Sequence, residues 1–288
     1  MKSSLFIILI TFFCLSFCNA QMILNAESLR VDMLKGQNQW SGTVGLSLNF
    51  TKNVNEVYNF NTNVALGYNG GENLWMIISN LNFNKAEGVA FQNSGVQHLR
   101  YNREISKRFT IEAFLQGQYD EVSEIDFRGL AGLGPRFELT KKKNEPNTST
   151  EKDEKQRSRL FLGTLVMYEY EKSLELDSKI IHRDFRSSNY LSFSFYPTDN
   201  VTIISTTYYQ PRVDKLKDYR VSSEINFVMG FSSKKESASS GSGQDELKKG
   251  FWDKIELNIN FSYNYDAFPV ISIPKTQYSI SNGLSYTL

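Results

Sequence analysis

The chain has 288 residues, with 32 Lys and Arg against 31 Asp and Glu and a formal net charge of +1 at pH 7. This balance lacks the basic excess that nucleic-acid binding requires, so we expect no nucleic-acid partner. Two histidines and two cysteines are little material for a metal site, and we expect no cofactor and no bound metal.

The first twenty residues have the pattern of a secretory signal peptide. A basic start is followed by an apolar run from Leu5 and by a small residue, Ala20, at a suitable cleavage position. The run is shorter than the ~20 residues of a spanning helix, and the phenylalanine before Cys18 departs from a lipoprotein signal. Both cysteines, Cys14 and Cys18, would leave with this segment. We therefore predict residues 1–20 as a signal peptide, and a mature chain with neither a disulfide nor a thiol nucleophile.

Beyond a lead-in segment at residues 21–39, in which a short helix is compatible with residues 22–35, the chain repeats a pattern with a period of two. Over residues 40–288, apolar and polar side chains alternate in about twelve stretches. Such alternation predicts strands with two unlike faces. The first stretch places its apolar face on Trp40, Val44, Leu46, Leu48 and Phe50.

The length of these stretches and the position of their aromatic residues favour a membrane strand. They are about ten residues or longer, against the usual five or six of globular proteins, and a tilted strand needs about 9–11 residues to cross a membrane. Aromatic residues near the stretch ends predict two interfacial girdles. These residues are Trp40, Phe50, Tyr58, Tyr68, Tyr208, Tyr209, Tyr263 and Tyr265.

The alternative is a secreted β-sandwich or soluble barrel, with its apolar faces packed inward. Two features of the sequence oppose it. The polar faces are rich in Asn, Ser, Gly and Thr and poor in Lys, and the apolar faces are too large and aromatic to fill one interior. We therefore predict an all-β, transmembrane antiparallel β-barrel of about twelve strands, of the outer-membrane type.

This prediction fixes the expected location and partners. We expect a monomer in the outer membrane of a Gram-negative bacterium, secreted across the inner membrane and inserted among outer-membrane lipids by the outer-membrane assembly machinery. Two polar, low-complexity loops are predicted near residues 141–158 and 232–250. Counted from a periplasmic N-terminus, both lie on the periplasmic side, where connections are usually short. A third loop is predicted at Lys172–Ser188 and contains His182.

The inward faces of the middle strands carry charges that need partners or water. A turn at Val122–Glu124 would place Gln118 opposite Arg128. A turn around Ile105 would place His98 opposite Glu112 and surround that carboxylate with histidine and arginine. The candidates for a polar network in the lumen are His98, Arg100, Glu112, Gln118, Arg128, Arg136, Glu138, Arg220, Glu224, Lys254 and Glu256.

Three functions of this network remain open. Paired charges could fill a narrow lumen and fix the strand register, or form a constriction that selects solutes, as charged rings do in pores. A catalytic site is the third hypothesis, but Ser94 and His98 are spaced too far along one strand for a Ser–His pair. We therefore expect no catalytic residue and no enzyme activity.

Several spaced motifs carry a family resemblance. "NAESLR", "HLRYN", "EAFLQGQYDE", "FRGLAGLGPRFEL", "YEYEK", "YYQPRVDKLKDYR", "YDAFPV" and "GLSYTL" occur in this order between about Asn25 and Leu288. Together they resemble the YdiY-like family, labelled salt-induced outer-membrane proteins of unknown function. The resemblance implies an outer-membrane barrel and supplies no catalytic residues. The expected function is a narrow solute-passing or plugged barrel in envelope or osmotic homeostasis. The alternatives are an interaction or assembly protein that acts through its loops and, third, a lipid-acting enzyme.

Overall fold

The structure is a computed structural model, and it describes nine segments of the chain. The predicted signal peptide and most of the two long polar loops lie outside the described residues, as does Lys254. The described segments are residues 23–27, 29–30, 38–52, 56–86, 89–140, 157–175, 178–231, 255–269 and 274–286.

Twelve strands form one antiparallel sheet, which confirms the predicted all-β class and the strand count. No helix in the described residues is long and apolar enough to cross a membrane. The strands are β1 Gln39–Lys52, β2 Glu56–Asn69, β3 Asn73–Ala86, β4 Val89–Ser106, β5 Phe109–Asp120, β6 Ile125–Glu138, β7 Ser158–Glu175, β8 Ser178–Thr198, β9 Val201–Pro211, β10 Tyr219–Gly230, β11 Ile255–Asp266 and β12 Thr276–Tyr286.

Each strand pairs with its neighbours in the chain, in the order β1 to β12. The sheet curls around a common interior. The evidence is that the guanidinium of Arg220 on β10 reaches the carboxylate of Glu169 on β7 at 2.6 Å. Thr43 of β1 and Ser279 of β12 line the same cavity, so the two edges face each other. Across the described part of these two edge strands, no hydrogen-bonded ladder joins them.

The faces of the sheet are inverted relative to a water-soluble protein. Leu48, on the outer face of β1, is 79% exposed, whereas Arg128, on the inner face of β6, is 1% exposed. The same contrast runs along most strands, because successive side chains of a strand point to opposite faces. The interior is therefore polar and charged, and the outer face is apolar.

Aromatic side chains form rows at the two ends of the outer face. Trp40, Tyr68, Trp75 and Tyr101 are successive cross-strand partners on β1 to β4, with ring centroids 5.2 Å apart in the first pair and 4.4 Å in the last. Phe50 begins the opposite row, ten residues further along β1. Ten residues span about 33 Å of strand, which a tilt of about 40° reduces to roughly the 25 Å apolar band of an outer-membrane barrel.

Tyr208 does not belong to these rows, contrary to the sequence prediction. Its side chain is buried in the interior, where it packs against Leu165 and Tyr190. Two tyrosines are adjacent in the sequence, and only Tyr209 points outward. Alternation along β9 forces one of any adjacent pair inward.

The predicted loop at Lys172–Ser188 is wrong. β7 continues to Glu175 and β8 starts at Ser178, so that this stretch is a tall hairpin with Glu171 paired to His182. Charged side chains lie on both faces here, with Glu171 and Arg186 inward and Lys172 and Arg183 outward. This lowers the contrast on which the strand pattern depends, and the stretch resembles a solvated loop in the sequence.

The register between β5 and β6 agrees with the prediction, since Gln118 lies opposite Arg128. The register between β4 and β5 does not. His98 lies opposite Gln116, and Glu112 lies opposite Asn102, because the turn is at residues 107–108 and not around Ile105. A β-bulge between Glu104 and Ser106 adds a residue to β4, which no sequence pattern marked.

Candidate functional site: the polar interior

The first buried ion cluster surrounds the carboxylate of Glu112, which is 0% exposed. Arg100 Nη2 donates to its Oε2 at 3.1 Å, Arg30 Nη1 to its Oε1 at 3.2 Å, and Tyr190 Oη donates to Oε2. Arg136 Nη1 lies 3.4 Å from Oε1. We call Glu27, Arg30, Arg100, Glu112, Arg136 and Tyr190 the Glu112 cluster. It contains three arginines and two glutamates, and each of these side chains contacts at least one side chain of opposite charge.

The predicted lead-in segment lies inside the sheet and supplies two members of this cluster. Glu27 accepts hydrogen bonds from Arg100 and Arg136. Ala26, one residue earlier, packs into an apolar cluster with Met76 and Ile78 of β3. A single turn of helix is closed by the bond from Arg30 N to Ala26 O at 3.1 Å. The N-terminal segment, which we define as residues 23–27 and 29–30, thus fills part of the interior.

A second buried cluster lies nearer the opposite end of the strands. Glu169 receives the guanidinium groups of Arg128, Arg186 and Arg220, the last two at 2.6 Å. Further carboxylates complete the pairing: Glu171 beside Arg128, Asp218 beside Arg186 at 3.0 Å and Asp266 beside Arg220 at 2.9 Å. We call these seven residues the Glu169 cluster.

The connection between β9 and β10 extends this charged region. There, Arg212 forms a paired contact with Asp214, with nitrogen–oxygen distances of 2.6 and 2.7 Å. Hydrogen bonds from Arg212 hold the pKa of the Asp214 carboxyl below its ordinary value. Arg212 also lies 3.4 Å from Asp184 and 3.5 Å from Asp218, so this connection is bound to the Glu169 cluster.

An apolar layer separates the two clusters. Leu165, Tyr190 and Tyr208 pack together with Phe114 and Ile23. Glycines make room for the rings, because a Cβ on Gly132 would collide with Phe114 and one on Gly163 with Tyr190. The space that remains in this layer is about 40 Å³, room for only a few water molecules. The layer therefore narrows the side of the interior that is lined by β4 to β9.

A wider cavity of about 580 Å³ lies next to the Glu112 cluster, at the end of the sheet where β5 begins and β8 ends. Glu27, Arg30 and Arg136 form part of its wall. Glu138 binds Arg159 there through two hydrogen bonds of 3.1 Å. Residues of both signs face this cavity, so it carries no strong excess of either charge.

The other side of the interior is lined by uncharged polar groups. Cavities of about 250 and 340 Å³ lie between β2–β5 and β10–β12. Their walls consist mainly of asparagine, serine, glutamine and threonine side chains. Asp120 is the acidic residue in the first wall and Glu224 in the second, and neither wall contains Lys, Arg or His.

The structure places most of the predicted network residues on the inner face. Arg100, Glu112 and Arg136 meet in one cluster, and Arg128 and Arg220 in the other. Glu224 is partly buried, Glu256 is exposed, and Lys254 lies outside the described residues. Buried without belonging to either cluster are His98, Gln118 and Glu138.

His98 is turned away from Glu112. Its Nδ1 lies 3.0 Å from Gln116 Oε1, and its ring stacks on Phe114 with centroids 5.4 Å apart. Gln118 binds the same Gln116 at 2.6 Å. In the described part of the chain, no group of three or more His, Cys, Asp or Glu residues could hold a metal ion.

Sequence reasoning missed several cluster members. Glu27 and Arg30 lie in the lead-in segment, and Glu171 and Arg186 lie in or beside the stretch predicted as a loop. The spacing of Glu169 and Glu171 was a usable signal, since two acids two residues apart share one face of a strand. Nothing in the sequence marked the insertion of Glu27.

Comparison with known proteins gives a family and a likeness to solved structures. A solved structure of the NanC porin, in a rhombohedral crystal form, is similar over 84% of this chain and 100% of that chain, with 10% sequence identity and a TM-score of 0.44. No curated protein matches the sequence. The family described as "Protein of unknown function, DUF481" matches residues 42–288, which include nearly all of β1 and every later strand. This chain therefore belongs to the DUF481 family.

Proposed function

We propose that this chain is a monomeric outer-membrane β-barrel that passes small solutes along one side of its interior, while ion pairs and the N-terminal segment plug the other side. Its role would be in envelope or osmotic homeostasis, in keeping with the resemblance to the YdiY-like, salt-induced family. It would act without catalysis, among outer-membrane lipids, after insertion by the outer-membrane assembly machinery.

The inverted distribution of polarity carries the proposal. Leaving a leucine-sized side chain in water forgoes about 1.5–3 kcal/mol, and soluble monomers rarely expose apolar patches larger than a few hundred Å². Here Leu46, Leu48 and Val44 are exposed side by side on β1, and similar residues follow around the sheet. A lipid environment removes this cost, and it leaves the polar interior as the place for water and solutes.

The aromatic rows support the same environment. Trp and Tyr rings prefer the boundary between hydrocarbon and water, where the ring is covered and its polar atom stays hydrated. The row from Trp40 to Tyr101 and the row that begins at Phe50 are separated by about the thickness of a membrane.

Cysteine substitution at two neighbouring positions tests the proposal. Leu46 and Ser47 are both exposed in the isolated chain but point to opposite faces of β1. In a lipid bilayer, the cysteine of the Leu46→Cys variant should resist a membrane-impermeant maleimide. The cysteine of the Ser47→Cys variant should react at least tenfold faster with the same reagent. Equal labelling of both variants in vesicles would contradict a lipid-facing outer surface. Labelling of both in detergent-free urea supplies the control for intrinsic reactivity.

A further inference from the structure

Four strands at the two sides of the sheet edges, β1, β2, β3 and β12, have no ionisable side chain at their described inward positions. These positions carry asparagine, glutamine, serine, threonine, glycine or apolar residues. We call this surface, together with the inward asparagines and Ser262 of β11, the amide face. It lies opposite the two ion clusters, which stand on β4 to β11 and the N-terminal segment. The interior is therefore divided into a side that holds the two ion clusters and a side lined mainly by uncharged polar groups.

The two cavities of the amide face are contiguous. Asn63, Asn80, Ser262, Asn264 and Ser279 line both of them. Volumes of about 250 and 340 Å³ reach the lower end of the ~300–1,000 Å³ typical of small-molecule sites. Beyond the cavities, Ser47 of β1 and Ser281 of β12 are also exposed inward residues. Water therefore reaches this side of the interior.

Two buried polar atoms in the first cavity have no hydrogen-bond partner among the residues that the structure describes. Gln277 is 6% exposed, and its Nε2 donates to none of these residues. Asn264 lies opposite it on β11, and its Oδ1 accepts from none of them. Burying a donor or acceptor without a partner costs about 1–3 kcal/mol. A donor and an acceptor held side by side would both be satisfied by a hydroxyl, which can accept from one and donate to the other.

The charges near the amide face disfavour anionic solutes. Asp120 accepts hydrogen bonds from Val122 N and Ser123 Oγ. Glu224 accepts from Asn226 Nδ2 and Asn260 Nδ2 at 2.8 and 2.7 Å. An anion would lose water and meet these two carboxylates, with no cationic group among the described lining residues to offset the loss. A cation would be attracted by the same carboxylates, so the lining discriminates against anions and not against cations. A hydroxyl exchanges its hydrogen bonds with water for bonds to amides at little net cost.

We propose that the amide face selects uncharged polyhydroxylated solutes of about monosaccharide size over anions of the same size, and is the path by which they cross the barrel. This inference rests on the proposed function of a solute-passing membrane barrel. Selection follows from the lining and not from width alone, because the cavities offer many uncharged donors and acceptors and no cationic group.

Osmotic swelling of phosphatidylcholine vesicles that contain the full mature chain tests the proposal. Glucose and gluconate have similar size and are uncharged and anionic at neutral pH. We expect swelling in glucose at least fivefold faster than in sodium gluconate. Equal rates for the two solutes would show a water-filled pore without this selectivity, and faster gluconate entry would assign the path to an anion; either result overturns the proposal.

Two tryptophan variants locate the path. Ser279 lines both cavities, whereas Ile280, the next residue of β12, lies on the outer face. Ser279→Trp should lower the glucose swelling rate at least fivefold, and Ile280→Trp should leave it within twofold of wild type. Equal effects of the two variants would place the path elsewhere.

The failure of this inference can be told apart from a failure of the proposed function. A protein that inserts into vesicles, and whose Leu46→Cys and Ser47→Cys variants label differently, but that passes no glucose, retains its membrane fold and contradicts the amide-face path. A protein that does not insert contradicts both. Each tryptophan variant is first shown to insert as the wild type does, so that misfolding is not mistaken for blockage.

Discussion

At the scale of single residues, the Glu112 carboxylate makes the strongest prediction. It is fully buried and receives Arg30, Arg100, Arg136 and Tyr190. Glu112→Ala would leave three guanidinium groups with one remaining carboxylate, and removal of one partner from a buried pair costs about 3–5 kcal/mol. Urea unfolding in detergent micelles should show a loss of this size in the free energy of unfolding.

A matched control is available on the same inner face. Glu256 of β11 is exposed, so Glu256→Ala should change the free energy of unfolding by less than about 0.5 kcal/mol. If Glu112→Ala and Glu256→Ala unfold at the same urea concentration, the Glu112 cluster is not a closed ionic network.

The positions of single residues show how much of the structure could be predicted from the sequence. Alternation put Arg100, Glu112 and Arg136 on inward faces, and the structure brings these three together. Alternation alone fixes a face but not a register, since a shift of two or four residues preserves it. The displacement of His98 by four positions, to Gln116, is an error of this kind.

At the scale of elements, the N-terminal segment makes a prediction about closure. Glu27 ties it to Arg100 and Arg136, and Ala26 anchors it on β3. Deleting residues 21–30 should widen the interior, raise glucose swelling severalfold and admit a trisaccharide, raffinose, that the wild type excludes. Deletion of ten residues at 236–245 is a control of equal length. Unchanged rates and unchanged raffinose exclusion after the first deletion would show that the segment is no plug.

Most strands could be predicted from the sequence, whereas the insertion of the N-terminal segment into the interior could not. A strand of this sheet repeats its polarity every two residues, and that repeat is visible locally. The contacts of the N-terminal segment are instead scattered over β3, β4, β5 and β6 and, through Ile23, over the apolar cluster of β7 to β9. No local pattern encodes contacts with so many separate strands, so such an insertion emerges only from the three-dimensional structure.

The ends of the sheet show a second element-scale feature. The connections from β6 to β7 and from β10 to β11 leave the same end at which β1 begins and β12 finishes, because each strand is antiparallel to the last. The sequence placed the two long polar loops on that side by counting strands. This placement of the loops depends on the count of twelve strands, because one missed strand would have put the loops at the opposite end of the sheet.

At the scale of the whole molecule, the main feature of the fold is its inverted distribution of polarity. Large apolar residues such as Leu48 are exposed, and charged residues such as Arg128 are buried. The sequence predicted this arrangement from the sparse lysines of the polar faces and the size of the apolar ones. It could not predict that the interior has a side that holds the two ion clusters and an amide face, because that division depends on which strands stand opposite each other.

The most direct test of the membrane barrel is electrophoresis in sodium dodecyl sulfate of the protein purified from membranes, with and without boiling. A closed barrel of hydrogen-bonded strands resists the detergent until it is heated. We predict that unboiled and boiled samples run at different apparent sizes, and that boiling converts one band into the other. A protein that is recovered in the soluble fraction and runs at one position in both samples would contradict the account.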